Sequence, residues 1–268
     1  MNTQGRPYLL RYKRVKKGKV PLVINNPEDI SALLKRFGKL RPRTFYASAN
    51  VYKETSRPEH LRSMDNIAFC LPTWDIDNTI DKWKTTIAVA KEILAFLSRE
   101  GVSKSVFLMW SGNGLHIHMH HKAFSDELLR KINPLNAAYA IVEYANKKLR
   151  SQYLELAKKY QAEKLNVENE MDLQRVFTCP MSLHRSLNVV AICFSPDMIN
   201  DFSLDWTSIE SYRHWNGWDR FEAGEADQLA EKALQTVGTY QLRKISKHAE
   251  RERKITAKSI TKWLRKEK

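Results

Sequence analysis

The chain has 268 residues, a hydrophobic share of 43%, seven tryptophans and a net charge of +15. This composition suits one large packed domain, or a main domain with an appendage. No apolar run approaches the roughly 20 residues of a membrane span. The opening MNTQGRPYLLRYKRVKKGK lacks the apolar stretch of a secretory signal, and Cys70, Cys179 and Cys193 are too scattered for a CxxC pair, a four-cysteine zinc site or a disulfide framework. The expectation is a reduced, cytoplasmic protein with no membrane partner.

Charge is unevenly spread. Residues 1–43 hold twelve Lys/Arg against Glu28 and Asp29, a net of +10. Residues 241–268 hold eleven against three, a net of +8, which leaves the middle at −3. Two basic flanks around a near-neutral centre suit a polyanion, because each neutralised phosphate releases counterions. A solvated basic tail has the same composition.

In chain order, residues 1–24 read as irregular or short strand. NNPEDISALLKRFGK predicts a helix capped by Asn26, with Pro27 at its first position, Glu28 and Asp29 at its positive end, and Gly38 to close it. RTFYASANVY (43–52) predicts a strand. NIAFCLPTWDI (66–76) is apolar and extended. Asn78 is expected to cap a helix to about Glu100, with Ile80, Trp83, Ile87, Leu94 and Leu97 on one face, ended by Gly101. SVFLMW (105–110) is a buried-strand run, SGNG a tight turn with two glycines available for positive φ, and Leu115–His120 an alternating strand that completes a hairpin. Ser125 caps a helical region reaching about Tyr160, with a break at Asn133-Pro134. NVVAICF (188–194) predicts the last strand, and residues 225–268 read as mostly helical and basic. The order β-α-β-β-α-β is the ferredoxin-like pattern. Its first and third strands are neighbours, which brings Asp75 and Asp77 to the histidines of the hairpin.

Three stretches carry chemistry. In WDIDN, Asp75 and Asp77 lie two apart on a strand and so point to one face. Paired carboxylates repel unless a cation lies between them, and oxygen ligands suit Mg²⁺ or Mn²⁺. A water-facing strand end is the plain alternative. In WSGNGLHIHMHH, alternation places His116, His118 and His120 on one face, opposite Leu115, Ile117 and Met119. Three readings stand: a zinc or di-metal hydrolase, a phosphate grip built from the Ser111–Gly114 turn and His116, or the polar outer face of an amphipathic strand. DLQRVFTCPMSLHRS gathers Asp172, Arg175, Ser182, His184 and Arg185 within fifteen residues, and Arg175 suits a phosphate.

Taken in order, WDID, SGNGLH and CPMSLH resemble the three motifs of the archaeo-eukaryotic primase superfamily, the small catalytic subunit of DNA primase and its relatives. RTFYASANVY is similar to the strand that precedes the first motif. The resemblance spans about residues 40–195. It implies an α+β protein with a ferredoxin-like palm, an additional α/β module to which residues 1–60 and 195–225 contribute, and a helical basic C-terminus. The expected division is a primase-polymerase catalytic domain over 1–225, its palm about 60–195, and a basic C-terminal segment over 226–268. The implied activity is template-dependent nucleotidyl transfer, as a DNA primase or DNA polymerase. Asp75 and Asp77 would bind Mg²⁺ or Mn²⁺; Ser111 and His116 would contact the nucleotide phosphates; Arg175, Ser182 and His184 would line the same pocket. His118 would line that face, while His120 and His121 are expected at the surface.

The chain departs from the family at several positions. Asn166 stands where the third carboxylate falls, so Asp172, which follows Met171, is taken for that role, with Glu168 as the substitute. Thr178 replaces an arginine, and Arg185-Ser186-Leu187 replaces Lys-Thr-Gly. The zinc-binding cysteines of many family members are missing, so no structural zinc is expected. Implied partners are single-stranded or primed DNA, nucleoside triphosphates, and an accessory subunit or helicase. A catalytically inactive nucleic-acid-binding module and a metal-dependent hydrolase are the alternatives.

Overall fold

The computed structural model describes residues 12–15 and 18–241. Its first part runs β1 (Tyr12–Val15), β2 (Gly18–Pro21), α1 (Pro27–Phe37), β3 (Tyr46–Ser48), β4 (Asn50–Tyr52) and β5 (Ile67–Cys70). The centre follows as β6 (Thr73–Asp77), α2 (Trp83–Arg99), β7 (Val106–Trp110), β8 (Leu115–Met119), α3 (Asp126–Lys131) and α4 (Pro134–Lys159). The chain then forms β9 (Asn166–Glu168), β10 (Val176–Thr178), β11 (Ile192–Phe194) and α5 (Asp227–Val237).

Local signals account for most boundaries. Asn26 caps α1 in a reciprocal box: the Asp29 amide donates to Asn26 Oδ1 at 3.1 Å, and the Asn26 amide to Asp29 Oδ2 at 3.3 Å. Gly38 does not close that helix in a left-handed turn; a 3₁₀ turn follows, and Arg41 takes the positive φ of 46°. Asn78 does not cap α2. Its Oδ1 accepts from the Thr79 amide at 2.9 Å, and a 3₁₀ turn (Ile80–Lys82) leads into the helix at Trp83. Ser125 Oγ accepts from the Leu128 amide and caps α3; Asn133 Oδ1 accepts from the Leu135 amide and caps α4. Pro134 opens α4 because its missing amide is one no helix would use there.

The main sheet has the order β11-β7-β8-β6-β9, and every neighbouring pair is antiparallel. Strands β6, β7, β8 and β9 form the ferredoxin-like set, with β6 and β8 adjacent as expected. The fourth strand is β9, however, not the segment 188–194. Residues 189–191 instead fold back on the third motif: the His184 amide donates to Val189 O at 2.9 Å and the Ala191 amide to Ser182 O at 2.9 Å. Only Ile192–Phe194 joins the sheet, at its far edge beside β7.

The two faces of this sheet differ by the period-2 rule. Trp74, Ile76, Leu108, Trp110, Leu115, Ile117 and Met119 point to the back, where they are buried with residues of α2 and α4 in the main core. Ala137, Ala138 and Ala140, all fully buried, let α4 approach closely. Each large side chain so buried contributes about 1.5–3 kcal/mol. The front face carries Thr73, Asp75, His116, His118, Phe107, Met109 and Cys193. A smaller layer covers it: β10 pairs with β3, and Phe177 of β10 lies against the histidines. Trp215 packs on Phe107, Met109 and Cys193. Residues 242–268, most of the expected basic C-terminal segment, and residues 1–11 lie outside the described residues. No described helix is long and apolar enough to cross a membrane.

Candidate active site

The sheet register builds the site. Asp75 lies opposite His116 on one side and opposite Glu168 on the other; Asp77 lies opposite Asn166, and Thr73 opposite His118. Facing residues of an antiparallel pair share a face. The first motif is therefore flanked by the second motif on β8 and by Glu168 on β9.

The SGNG turn joins all three motifs. Gly114 packs so tightly against the first motif that a Cβ there would lie 2.9 Å from Ile76 O and 3.2 Å from Asp77 Oδ1. Gly112 has φ +136°, and a Cβ there would lie 2.5 Å from Cδ2 of His184. The hairpin tip is thus wedged between the strand end of WDID and the ring of SLH. Ser111 closes the turn, its amide and hydroxyl both donating to Gly114 O, at 2.9 and 3.2 Å.

The histidine row is buried, which corrects the reading of a polar outer face. His116 Nε2 lies 3.4 Å from Asp75 Oδ1, while its Nδ1 is buried with no hydrogen-bond partner among the described residues. Thr73 Oγ1 donates to Leu71 O at 3.0 Å, so it accepts from His118 Nδ1 at 2.8 Å. Burial, reinforced by the neighbouring His116, pushes His118 well below the ordinary histidine range and keeps it neutral. His120, expected at the surface, is 3% exposed. It accepts the Lys122 amide at Nδ1, meets Asp219 Oδ1 at 3.1 Å through Nε2, and stacks on Phe221. Burial outweighs Asp219 and lowers its affinity for a proton. His121 stacks on His120 and is pushed down to about 4, by burial first and then by the His120 charge.

The carboxylates interact strongly. Burial works to raise Asp75, but the hydrogen bond and charge of His116, with Glu170 and Arg175 nearby, leave it below the ordinary aspartate value. Burial and the Asp75 charge raise Asp77. Glu170 is raised by burial, against the pull of Arg175, and by its hydrogen bond to Asp75. Arg175 donates through Nε to Glu170 O at 2.8 Å and forms an ion pair with the Glu170 carboxylate through Nη1.

Other residues singled out in the sequence are placed as follows. Asp172 caps a turn, its Oδ1 accepting from the Gln174 amide at 2.7 Å; its side chain is 46% exposed and lies 4.0 Å from Arg175 Nη2. No hydrogen bond or ion pair joins Asp172 to Asp75 or Asp77 among the described residues. Ser182 donates to Cys179 O at 2.7 Å and braces the third motif. His184 accepts two backbone amides at Nδ1, from Ser186 at 3.3 Å and Leu187 at 3.0 Å, so its proton is on Nε2. Burial, then Arg185 and Arg43, hold it below the ordinary histidine value. Arg43 ties that loop down through Leu187 O and Asn188 Oδ1, both at 3.0 Å.

Sequence reasoning passed over Glu170. The signal was present: Glu168, Glu170 and Asp172 recur every second residue, as acids on one face of an extended segment do. Among the described residues no three His, Cys, Asp or Glu side chains are gathered to hold one ion. Magnesium is commonly bound by one or two protein carboxylates, with waters and substrate phosphates completing its shell. The pair Asp75 and Asp77, whose mutual repulsion raises Asp77, fits that mode.

No family model matches the chain, and no curated protein matches it. Among solved structures, the polymerase domain from Mycobacterium tuberculosis ligase D in complex with DNA overlays with a TM-score of 0.43 and 14% identity, over 89% of this chain and 75% of that one. This is a loose overlay, and the assignment below stands on the chain's own residues.

Proposed function

We propose that the protein is a template-dependent nucleotidyltransferase of the primase-polymerase kind, which joins a nucleoside triphosphate to a 3′-hydroxyl of DNA. One observation carries the reading: the SGNG turn touches both Asp77 and His184, so three motifs spread over more than a hundred residues of sequence meet at one point. A chance set of weak motifs has no reason to converge.

Asp75 and Asp77 would hold the divalent cations, with Glu168 the acid that faces Asp75 across the sheet. Magnesium or manganese held there supplies positive charge to the triphosphate and lowers the pKa of the attacking hydroxyl. The protein's own groups do the positioning. Asp75 Oδ1, 3.4 Å from His116 Nε2, holds that ring beside the first motif. His184, anchored through Nδ1, keeps an Nε2 proton to donate to a phosphate oxygen. Arg175 offers a planar guanidinium for the same charge.

A labelled extension assay on primed and unprimed single-stranded DNA, with Mg²⁺ and Mn²⁺ in turn, tests this. Asp75→Ala/Asp77→Ala is expected to lose on the order of 10²–10⁴ in rate. Equal product from both proteins would overturn the assignment. A second reading, a binding module on the same fold, is favoured by Asn166, which places an uncharged amide opposite Asp77. It predicts salt-sensitive DNA binding with no incorporation under either metal.

A further inference from the structure

The sequence puts its excess positive charge in the two flanks, yet folding makes a third basic surface from the near-neutral centre. Lys82 and Lys84 lie at the entry to α2; Lys158 and Lys159 end α4; Lys164 lies in the loop that enters β9. Lys82 Nζ donates to Tyr160 O at 3.2 Å and binds the two helix ends into one corner. Within residues 81–84 and 158–164 these five lysines meet only Asp81 and Glu163. None of the five forms an ion pair among the described residues, whereas Lys104, Lys131 and Lys232 are each matched to a glutamate.

Two bland explanations cover part of this. Cations at the last turn of α4 complement its dipole, which accounts for Lys158 and Lys159. Lys82 serves a backbone carbonyl. Neither explains Lys164, which follows Tyr160 by four residues and adds a further cation beside the end of α4. Its position links it to the site: Lys164 precedes Asn166 by two residues, and Asn166 is the register partner of Asp77. Asn166 lies one strand from Asp77, at about 4.8 Å spacing, so the chain that leaves the corner through Lys164 enters the sheet at its carboxylate end. Two rings lie within the corner, each beside a cation: Lys159 over Tyr160 at 5.4 Å and Lys84 over Trp83 at 5.7 Å. Tyr160 is exposed.

We propose that this corner is the track along which the sugar-phosphate backbone of the primed DNA runs to the site. The proposal rests on the nucleotidyltransferase reading for its occupant, since a surface that is basic, free of internal pairing and continuous with a phosphate-handling site is complementary to a polyanion. It assigns DNA binding to the folded body rather than to the basic flanks alone.

The test compares two variants of the full chain with the same loss of charge. Lys158→Gln/Lys159→Gln/Lys164→Gln removes the corner; Lys104→Gln/Lys131→Gln/Lys232→Gln removes three paired lysines elsewhere. Binding of a fluorescein-labelled primer–template hairpin is followed by anisotropy without divalent metal, from about 50 to about 200 mM salt. Thermal melting confirms that both variants fold. Each lost duplex phosphate contact lowers the slope of log K against log salt by about 0.9, so the corner variant is expected to lose about 2–3 in slope and the control none. Equal slopes in both variants, whether unchanged or equally reduced, would overturn the proposal. The outcome is separable from the activity. A corner-specific loss in a protein that incorporates no nucleotide keeps the track and removes the polymerase reading; unchanged slopes in an active enzyme do the reverse.

Discussion

At the scale of single residues, the two glycines of the SGNG turn carry different loads. Both were read as sources of positive φ. Gly112 supplies it, at +136°, and also gives way to the His184 ring. Gly114 is needed instead for closeness, against Ile76 O and Asp77 Oδ1. Gly112→Ala is therefore expected to cost about 1–3 kcal/mol, from backbone strain together with overlap on His184. Urea unfolding measures it, and a cost near zero would mean that His184 has room to move. Glu170 makes a second case. Its carboxyl touches both Asp75 and Arg175; nothing in the sequence says which acid of an alternating row meets a strand nearly a hundred residues earlier.

Among the elements, β9 decides the site. It is three residues long and partly exposed, with little apolar patterning to mark it, so the last strand of the pattern was sought in the more hydrophobic 188–194. Pairing of β9 with β6 is what brings Glu168 opposite Asp75. A different tie holds β7. Glu225, just before α5, accepts from the amides of Ser103 and Lys104, both at 2.7 Å, and of Ser105 at 2.9 Å, clamping the start of β7. Burial opposes ionisation there, but these bonds leave its carboxyl below the ordinary glutamate value. Its stabilisation is therefore present above the unfolded value and lost as pH falls through the folded one. Glu225→Ala strands three donors and is expected to cost about 2–3 kcal/mol in denaturant melts at neutral pH. A loss under half a kcal/mol, or about that, would show that water replaces the carboxylate.

For the whole molecule, the buried histidine row sets an acid limit on stability. His118 and His121 are neutral in the fold, while an unfolded histidine takes up its proton near 6.5. Below that pH the unfolded chain binds more protons than the folded one. Stability is thus full above about 6.5 and declines as pH falls, for His121 until about 4. One such group contributes at most about 1.4 kcal/mol per pH unit, less for His121 because it is partly exposed. The melting temperature of the wild type is expected to fall steadily through this window, and that of His121→Asn less steeply. Parallel curves would remove His121 as a source of the acid sensitivity.

By itself the sequence determined the β-α-β-β-α part of the element order, the caps at Asn26 and Ser125, the break at Asn133-Pro134, the hairpin, and the adjacency of the DxD strand to the histidine strand. These follow from signals within a few residues, and from a topology in which the first and third strands are neighbours. Tertiary structure alone decided that the histidine row is buried rather than wet, because alternation states which residues share a face and not what covers it. It likewise decided which acid faces Asp75, and that Lys82 and the end of α4 meet at one corner. Those facts depend on register and on contacts between distant segments, and a one-residue slip of β9 would exchange every one of its side chains between the two faces.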